Sequence, residues 1–423
     1  MNAQLETFEN YESEVRSYIR SFPALFVKAK GEFIYDKNGR KYIDFLSAAG
    51  SLNYGHNHPD LKRKLIEYIE SDGIAQGLDM ATEAKKRFIE TFDDYILKPR
   101  KMKYKMQFTG PTGTNAVEAA LKLARKVTKR SQLIAFFNGF HGMSMGSLSV
   151  TGNLFARKGA GIPLNGVTFM PYNTVELLEK AFENKGSGIE KPAAIILETI
   201  QGEGGVNVAE KAWLQKIAEI CRINKILLIV DDIQVGCGRT GSFFSFEEMG
   251  IQPDIIILSK SLSGYGMPMS LVLLKPELDI WSPGEHNGTF RGNNLAFVTA
   301  REALNLYWKD DSFTKMVDAK SKLLKNRLER IKGYYPDMKI NIRGRGLIYG
   351  ISFDIQGIAK DITRTCFNNG LIIETCGPDS SVIKCIPPLI IDTASLEKGL
   401  DILEESVYSE MQKYDREALV AKC

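Results

Sequence analysis

The sequence predicts an α/β fold with a mostly parallel central sheet flanked by helices, and three observations carry that prediction. Apolar runs of strand length recur at helix-sized intervals, at residues 193–198, 226–232 and 255–258. Between the first two lies a helical pattern over residues 209–222, with Trp213, Leu214, Ile217 and Ile220 on one face. Strand, helix, strand at this spacing implies parallel neighbours joined by right-handed crossovers. Finally, each run ends at or beside an ionisable residue: Glu198, Asp231 with Asp232, and Lys260. Ligands bind off such strand ends in open α/β sheets, so the three positions point to one site.

At 423 residues the chain exceeds one small core, and two lobes or one large domain with appendages is expected. An apolar content of 44% with 25% charged residues is that of an ordinary globular protein. Basic and acidic residues are interspersed and the formal net charge is +4, which gives no nucleic-acid signature. Six cysteines without a C-x-x-C pair fit a reducing, cytoplasmic setting. The first residues carry acids and no apolar stretch, unlike a signal peptide, and the apolar runs are too short to span a membrane.

In chain order, the first ~20 residues predict a polar surface helix. Alternating apolar residues on both sides of Asn38-Gly39 predict a hairpin over residues 31–45. Pro59 suits the first turn of a helix over 61–69. His56 and His58 lack companion ligands nearby, which argues against a metal site, and none is expected elsewhere. Residues 110–121 run from a loop of small residues into a helix, with Asn115 and Glu118 at capping-box spacing. Such a loop either cradles a phosphate at the helix N-terminus or simply starts a capped helix. After a strand at 133–137, Phe140 and His141 stand between Gly139 and Gly142; Phe140 either stacks on a planar ligand or fills core. Lys260 closes a run of four apolar residues, so its amine either snorkels to solvent or is desolvated for Schiff-base chemistry. The polar, glycine-rich loop at 284–294 is longer than a turn requires. Helices over 296–308 and 313–331, strands at 347–353 and 382–384, and a closing helix over 396–411 complete the chain.

A lysine able to form an imine, a carboxylate facing it, a phosphate cradle and an aromatic ring are together what pyridoxal 5'-phosphate requires. Lys260 would carry the cofactor aldehyde, and Asp231 would keep the pyridine nitrogen protonated, since a contacting opposite charge favours a charged form by about 1–3 pKa units.

The run Asp231-Asp232-Ile233-Gln234-Val235-Gly236-Cys237-Gly238-Arg239-Thr240-Gly241, with Ser259-Lys260 downstream, resembles the signature of class III pyridoxal-phosphate aminotransferases. Residues 108–116, 261–266 and 284–294 are most similar to the diaminobutyrate–2-oxoglutarate branch of that family, the type that serves ectoine biosynthesis. The resemblance implies fold type I, with a large cofactor-binding domain over 61–310, a small α+β domain over 311–423, and residues 1–60 packed with the latter. It also implies a homodimer, with glutamate and aspartate 4-semialdehyde as substrates. By the same resemblance Gly113 and Thr114 bind the phosphate, Phe140 and Ile233 sandwich the ring, and Gln234 meets its phenolic oxygen. His141 and Glu198 belong to the cofactor site, and Thr289 reaches the phosphate of the neighbouring subunit. Glu203 corresponds to a glutamate that masks or releases a carboxylate-binding cation. Lys384 stands where many members carry the arginine that holds a substrate carboxylate, and lysine lacks the bidentate fork. Arg291 is the alternative clamp. Thr199, Asn115 and Met143 depart from the wider class, which favours this branch over the ornithine and 4-aminobutyrate enzymes.

Overall fold

The computed structural model describes residues 4–184 and 186–420. The expected N-terminal surface helix is broken into two short pieces, Glu6–Tyr11 and Tyr18–Ser21, neither with a buried residue; with no apolar face to pack, a longer helix has nothing to hold it. Three antiparallel strands follow, β1 (Phe26–Lys30), β2 (Phe33–Asp36) and β3 (Lys41–Asp44). The turn at Asn38-Gly39 sets the β2–β3 register at Ile34↔Tyr42, as its turn chemistry predicts.

The central sheet draws on β4 (Lys105–Phe108), β5 (Leu133–Phe136), β6 (Val167–Met170) and β7 (Ala194–Leu197). A small hairpin of β8 (Ile200–Gln201) and β9 (Asn207–Val208) precedes β10 (Leu227–Asp231), β11 (Ile255–Leu258) and β12 (Leu271–Leu274). Their order is β4-β12-β11-β10-β7-β5-β6. All neighbours from β11 to β6 run parallel, and β12 is antiparallel to both β11 and β4. The continuous apolar runs follow from this placement. In β11, Ile255 and Ile257 pack into the core on one face, Ile256 and Leu258 into the core on the other, and all four are fully buried. Burying each such side chain contributes about 1.5–3 kcal/mol. The helix Gly113–Thr128 lays Ala116, Val117, Ala120, Leu121 and Ala124 on the same face as Ile255 and Ile257, which fixes its N-terminus at the sheet edge.

Beyond the helices Asn294–Tyr307 and Ser312–Gly333, a four-stranded antiparallel sheet forms from β13 (Ile340–Arg345), β14 (Ile348–Phe353), β16 (Glu374–Cys376) and β17 (Val382–Cys385). Between β14 and β16, the two-residue strand β15 (Leu371–Ile372) leaves that sheet and pairs parallel with β3, Leu371 opposite Ile43. The helix Thr393–Val420 ends the described chain. Among the described residues no helix is long and apolar enough to cross a membrane. The five described cysteines are buried and unpaired.

Candidate active site

The parallel register collects the ionisable residues at one edge of the sheet. Val230 lies opposite Leu197 and Asp231 opposite Ile257, so Glu198, Asp231 and the Ser259-Lys260 step leave adjacent strands at one level. Lys260 opens a single tight turn, Lys260–Ser263, with φ 51°. A left-handed conformation at a residue with a side chain stores about 1–3 kcal/mol and needs support. Flanking hydroxyls supply it: Ser259 Oγ donates to the Met269 carbonyl at 2.7 Å and Ser261 Oγ to the Gly50 carbonyl at 2.7 Å. Lys260 Nζ donates to the Ala49 carbonyl at 3.0 Å. Burial lowers the Lys260 pKa, Glu203 opposes that shift and Lys384 adds to it. The amine is therefore biased toward its neutral, nucleophilic form.

Asp231 is buried and its two oxygens have different duties. Oδ1 accepts the Ile233 N–H at 3.1 Å, while Oδ2 lies 2.7 Å from His141 Nδ1. Burial works against a charged His141, but the hydrogen bond and charge of Asp231 outweigh it and raise its pKa. His141 is in turn held by its own N–H to Thr151 Oγ1 at 3.0 Å. Glu198 accepts the Phe140 N–H at 3.0 Å; burial pushes its carboxyl up to about 7, with the charge of His141 opposing.

The loop before Gly113–Thr128 forms a cradle, though its cap differs from the expected one. Asn115 Oδ1 accepts from Thr112 N–H at 3.2 Å and Thr112 Oγ1 at 2.9 Å, so the box pairs Thr112 with Asn115. Glu118 instead turns to the facing loop and accepts from Ser144 Oγ and from the N–H groups of Gly146 and Ser147. The pair with capping-box spacing lies one turn too late because the helix already begins at Gly113. Thr114 Oγ1 lies 2.9 Å from Ser144 Oγ and 2.5 Å from Ser147 Oγ.

A phosphorylated planar cofactor fits this arrangement. A Cβ on Gly113 would come within 2.7 Å of Ile233 Cδ1, and one on Gly142 within 2.4 Å of Thr114 Oγ1. Only glycine leaves the cradle open at these points. Gln234 Oε1 is buried with no partner, an acceptor waiting for a donor. Gln234 Nε2 donates to the Ala49 carbonyl at 3.1 Å and to Glu203 Oε1 at 2.8 Å.

Glu203 ties this centre to the C-terminal sheet. Lys384 Nζ lies 2.6 Å from Glu203 Oε1 and 3.0 Å from Glu374 Oε1, and its side chain is fully buried. Burial opposes charge on both members of the Glu203–Lys384 pair, and their mutual attraction overcomes it, holding the carboxyl pKa down and the ammonium pKa up. Glu203, Lys260, Ala49, Phe140, Glu374 and Tyr18 line one cavity of about 710 Å³.

Residues 16–407 match the family model described as aminotransferase class III. The chain belongs to the class III aminotransferases. It is a pyridoxal-phosphate-dependent enzyme of that family. It is 56% identical over 411 residues to the diaminobutyrate–2-oxoglutarate transaminase of Halalkalibacterium halodurans, covering 95% of this chain and 96% of that one. It is 54% identical over 416 residues to the protein of the same name from Oceanobacillus iheyensis, covering 97% of each. Among solved structures, the ornithine aminotransferase of Toxoplasma gondii ME49 superimposes with a TM-score of 0.86 at 28% identity, over 97% of this chain and 95% of that one. Another structure of the Toxoplasma gondii enzyme holds the cofactor at its active site in partial occupancy.

Within this aminotransferase the two remaining sequence candidates lie apart from the Lys260 cavity. Thr289 is exposed, and Arg291 bonds Asn287 Oδ1 at 3.2 Å, lies 3.7 Å from Asp79 and lines a different cavity. His56 and His58 turn to separate partners, Asp44 at 2.9 Å and Tyr307 at 2.6 Å. Three contributors escaped sequence reasoning. The Ala49 carbonyl is presented by a turn in which Ser47, Ala48 and Ala49 all have positive φ, and only Asp44, whose Oδ1 accepts from Leu46 and Ser47 N–H at 2.8 Å each, hints at its strain. Glu374 and Tyr18, bonded to each other at 3.3 Å, carry no local motif.

Proposed function

We propose that this enzyme moves the amino group of L-glutamate to L-aspartate 4-semialdehyde, giving L-2,4-diaminobutyrate and 2-oxoglutarate by a reversible ping-pong exchange. The observation that carries the substrate assignment is the likeness, at 52–56% identity over nearly the whole chain, to proteins named diaminobutyrate–2-oxoglutarate transaminase. The reading places the enzyme in the cytoplasm at the first step of ectoine biosynthesis, with supply of diaminobutyrate to siderophores or peptide antibiotics as the alternative destination.

When bound, pyridoxal phosphate supplies an aldehyde that carries the amino group and a ring that withdraws electrons. Gly113 and Thr114 hold its phosphate against the helix N-terminus, whose N–H groups and dipole favour an anion. Phe140 and Ile233 take the two faces of the ring, and Gln234 its phenolic oxygen. Asp231, oriented by His141, holds the proton on the ring nitrogen; Glu198 fixes the Phe140 backbone. Lys260 moves the proton at the substrate carbon, a role suited to an amine biased toward neutrality. Glu203 covers the Lys384 ammonium, and its withdrawal frees that cation for a substrate carboxylate. Segments 1–60 and 311–423 form the small domain, a division supported by the β3–β15 pairing. The assembly is a homodimer in which Thr289, with Arg291 beside it, serves the partner's site.

The deciding assay offers purified enzyme, cofactor and glutamate the semialdehydes of aspartate, succinate and glutamate in parallel and identifies the amine formed. Diaminobutyrate as the preferred product supports the assignment. Preference for another aldehyde overturns the substrate, and absence of any amine overturns the reaction.

A further inference from the structure

In the Lys384 cluster two carboxyls, Glu203 and Glu374, share one ammonium within 3.0 Å. Glu374 on β16 is the cross-strand register partner of Lys384 on β17, so the two side chains share a face of the sheet. Glu203 accepts a hydrogen bond from the ammonium at 2.6 Å. Glu374 Oε1 lies 3.0 Å from Lys384 Nζ but receives no aligned hydrogen bond, and Oε2 takes only the neutral Tyr18 hydroxyl at 3.3 Å. Burial raises the Glu374 pKa, Lys384 opposes and Glu203 adds to the rise. The other basic side chains on the cavity wall are engaged, biased toward neutrality or in water: Lys260 donates to the Ala49 carbonyl and its pKa is lowered by burial, Arg20 pairs with Glu14, Arg364 with Asp361, and Lys360 is exposed. A carboxylate largely withdrawn from water, with its Oε1 unpartnered, is costly, and Glu374 faces the cavity that holds Lys260.

We propose that, once Glu203 withdraws and frees Lys384, Glu374, steadied by Tyr18, binds the α-ammonium group of a substrate whose far end is an amino-acid head, with Lys384 taking the carboxylate on the same carbon. The assignment rests on the diaminobutyrate reading above and names the group that distinguishes that substrate. An ammonium and a carboxylate on one carbon match a carboxylate and an ammonium 3.0 Å apart. An ω-amine ending in a bare carboxylate, such as 4-aminobutyrate, satisfies Lys384 and leaves Glu374 facing it. Like charge then adds repulsion to the missing contact, so the site rejects as well as selects.

The test compares kcat/KM for diaminobutyrate and 4-aminobutyrate in wild type and Glu374→Gln, with Glu374→Asp as the variant that keeps the charge. A lost hydrogen bond between charged groups corresponds to roughly 10–100-fold, so the ratio falls by about that factor in Glu374→Gln and recovers partly in Glu374→Asp. A residue that only neutralises Lys384 would move both substrates together, and an unchanged ratio overturns the proposal. Wild type alone gives a second measurement that needs no variant to fold. With 4-amino-2-hydroxybutyrate, which replaces the ammonium by a hydroxyl, kcat/KM drops by about 10–100-fold relative to diaminobutyrate; equal rates overturn the proposal. Failure of wild type to turn over diaminobutyrate sinks the substrate reading and this inference with it. Turnover with an unaltered ratio sinks the inference alone.

Discussion

Lys260 and the two adjacent carboxyls, Asp231 and Asp232, show how burial divides labour among similar groups. On the proposed assignment Lys260 both carries the cofactor and moves the substrate proton, so in Lys260→Ala amino transfer falls by at least ~10²–10⁴-fold and the lysine-bound cofactor absorption band disappears. A band retained in the variant would contradict the assignment of Lys260. Asp232 points away from this chemistry, accepting from the N–H and hydroxyl of Ser245. Burial drives its carboxyl from 3.8 to about 7, with the Ser245 bonds opposing and the charge of Asp231 adding. Because its pKa is raised on folding, the stability it contributes is present below pH 3.8 and lost as pH climbs through about 7. The loss runs at ~1.4 kcal/mol per pH unit inside that window. Glu198, also raised to about 7, adds a parallel decline. Asp232→Asn cannot ionise, so the fall in its thermal midpoint between about pH 5 and pH 7 is smaller than that of wild type. Identical pH dependence in the two proteins would mean that Asp232 is ionised in the fold. The sequence announced Asp231 and Lys260 because ionisable groups at the ends of apolar strands are conspicuous. It was silent on Glu374 and the Ala49 carbonyl, whose roles come from tertiary placement alone.

Continuous burial made most of the central strands legible, although β12, buried throughout at Leu271–Leu274, was not predicted. The strands β7, β10 and β11 are covered on both faces and read as unbroken apolar runs, and the Asn38-Gly39 hairpin is specified by its turn. The strand β4 was missed because its Lys-Met-Gln-Phe is exposed at one end and buried at the other. The two residues of β15 form a strand only through pairing with β3, more than three hundred positions earlier, which no local pattern can show. The helix Gly113–Thr128 was predicted with its cap one turn late, and that difference can be tested. Asn115 supplies the oxygen that receives both Thr112 donors, so Asn115→Ala costs about 1 kcal/mol of stability and loosens the cradle, lowering cofactor affinity. Glu118→Gln leaves this cap intact. Denaturant titration with and without cofactor distinguishes the two, and equal destabilisation by both changes would return the cap to the later pair.

At the scale of the whole molecule, the unexplained residue is Thr289. It sits on an exposed loop, outside the cavity that contains Lys260, Phe140 and Glu203. Its neighbour Phe290 is 64% exposed, an apolar ring on a polar loop that suits contact with another chain. If each site combines Lys260 of one subunit with Thr289 of the other, Lys260→Ala and Thr289→Ala place their damage in complementary ways. A mixed dimer has one site carrying both substitutions and one carrying neither. Co-expression of the two variants with different affinity tags, followed by isolation of the doubly tagged dimer, therefore restores about half of the wild-type activity per dimer, since one of two sites is intact. Sites made wholly within one chain predict a different result: the mixed dimer then shows only the mean of its two parents. Sedimentation of the purified enzyme at a dimer's mass is the companion observation. A monomer that is fully active would remove the neighbouring subunit from the site altogether and leave the Thr289 loop without a role in catalysis.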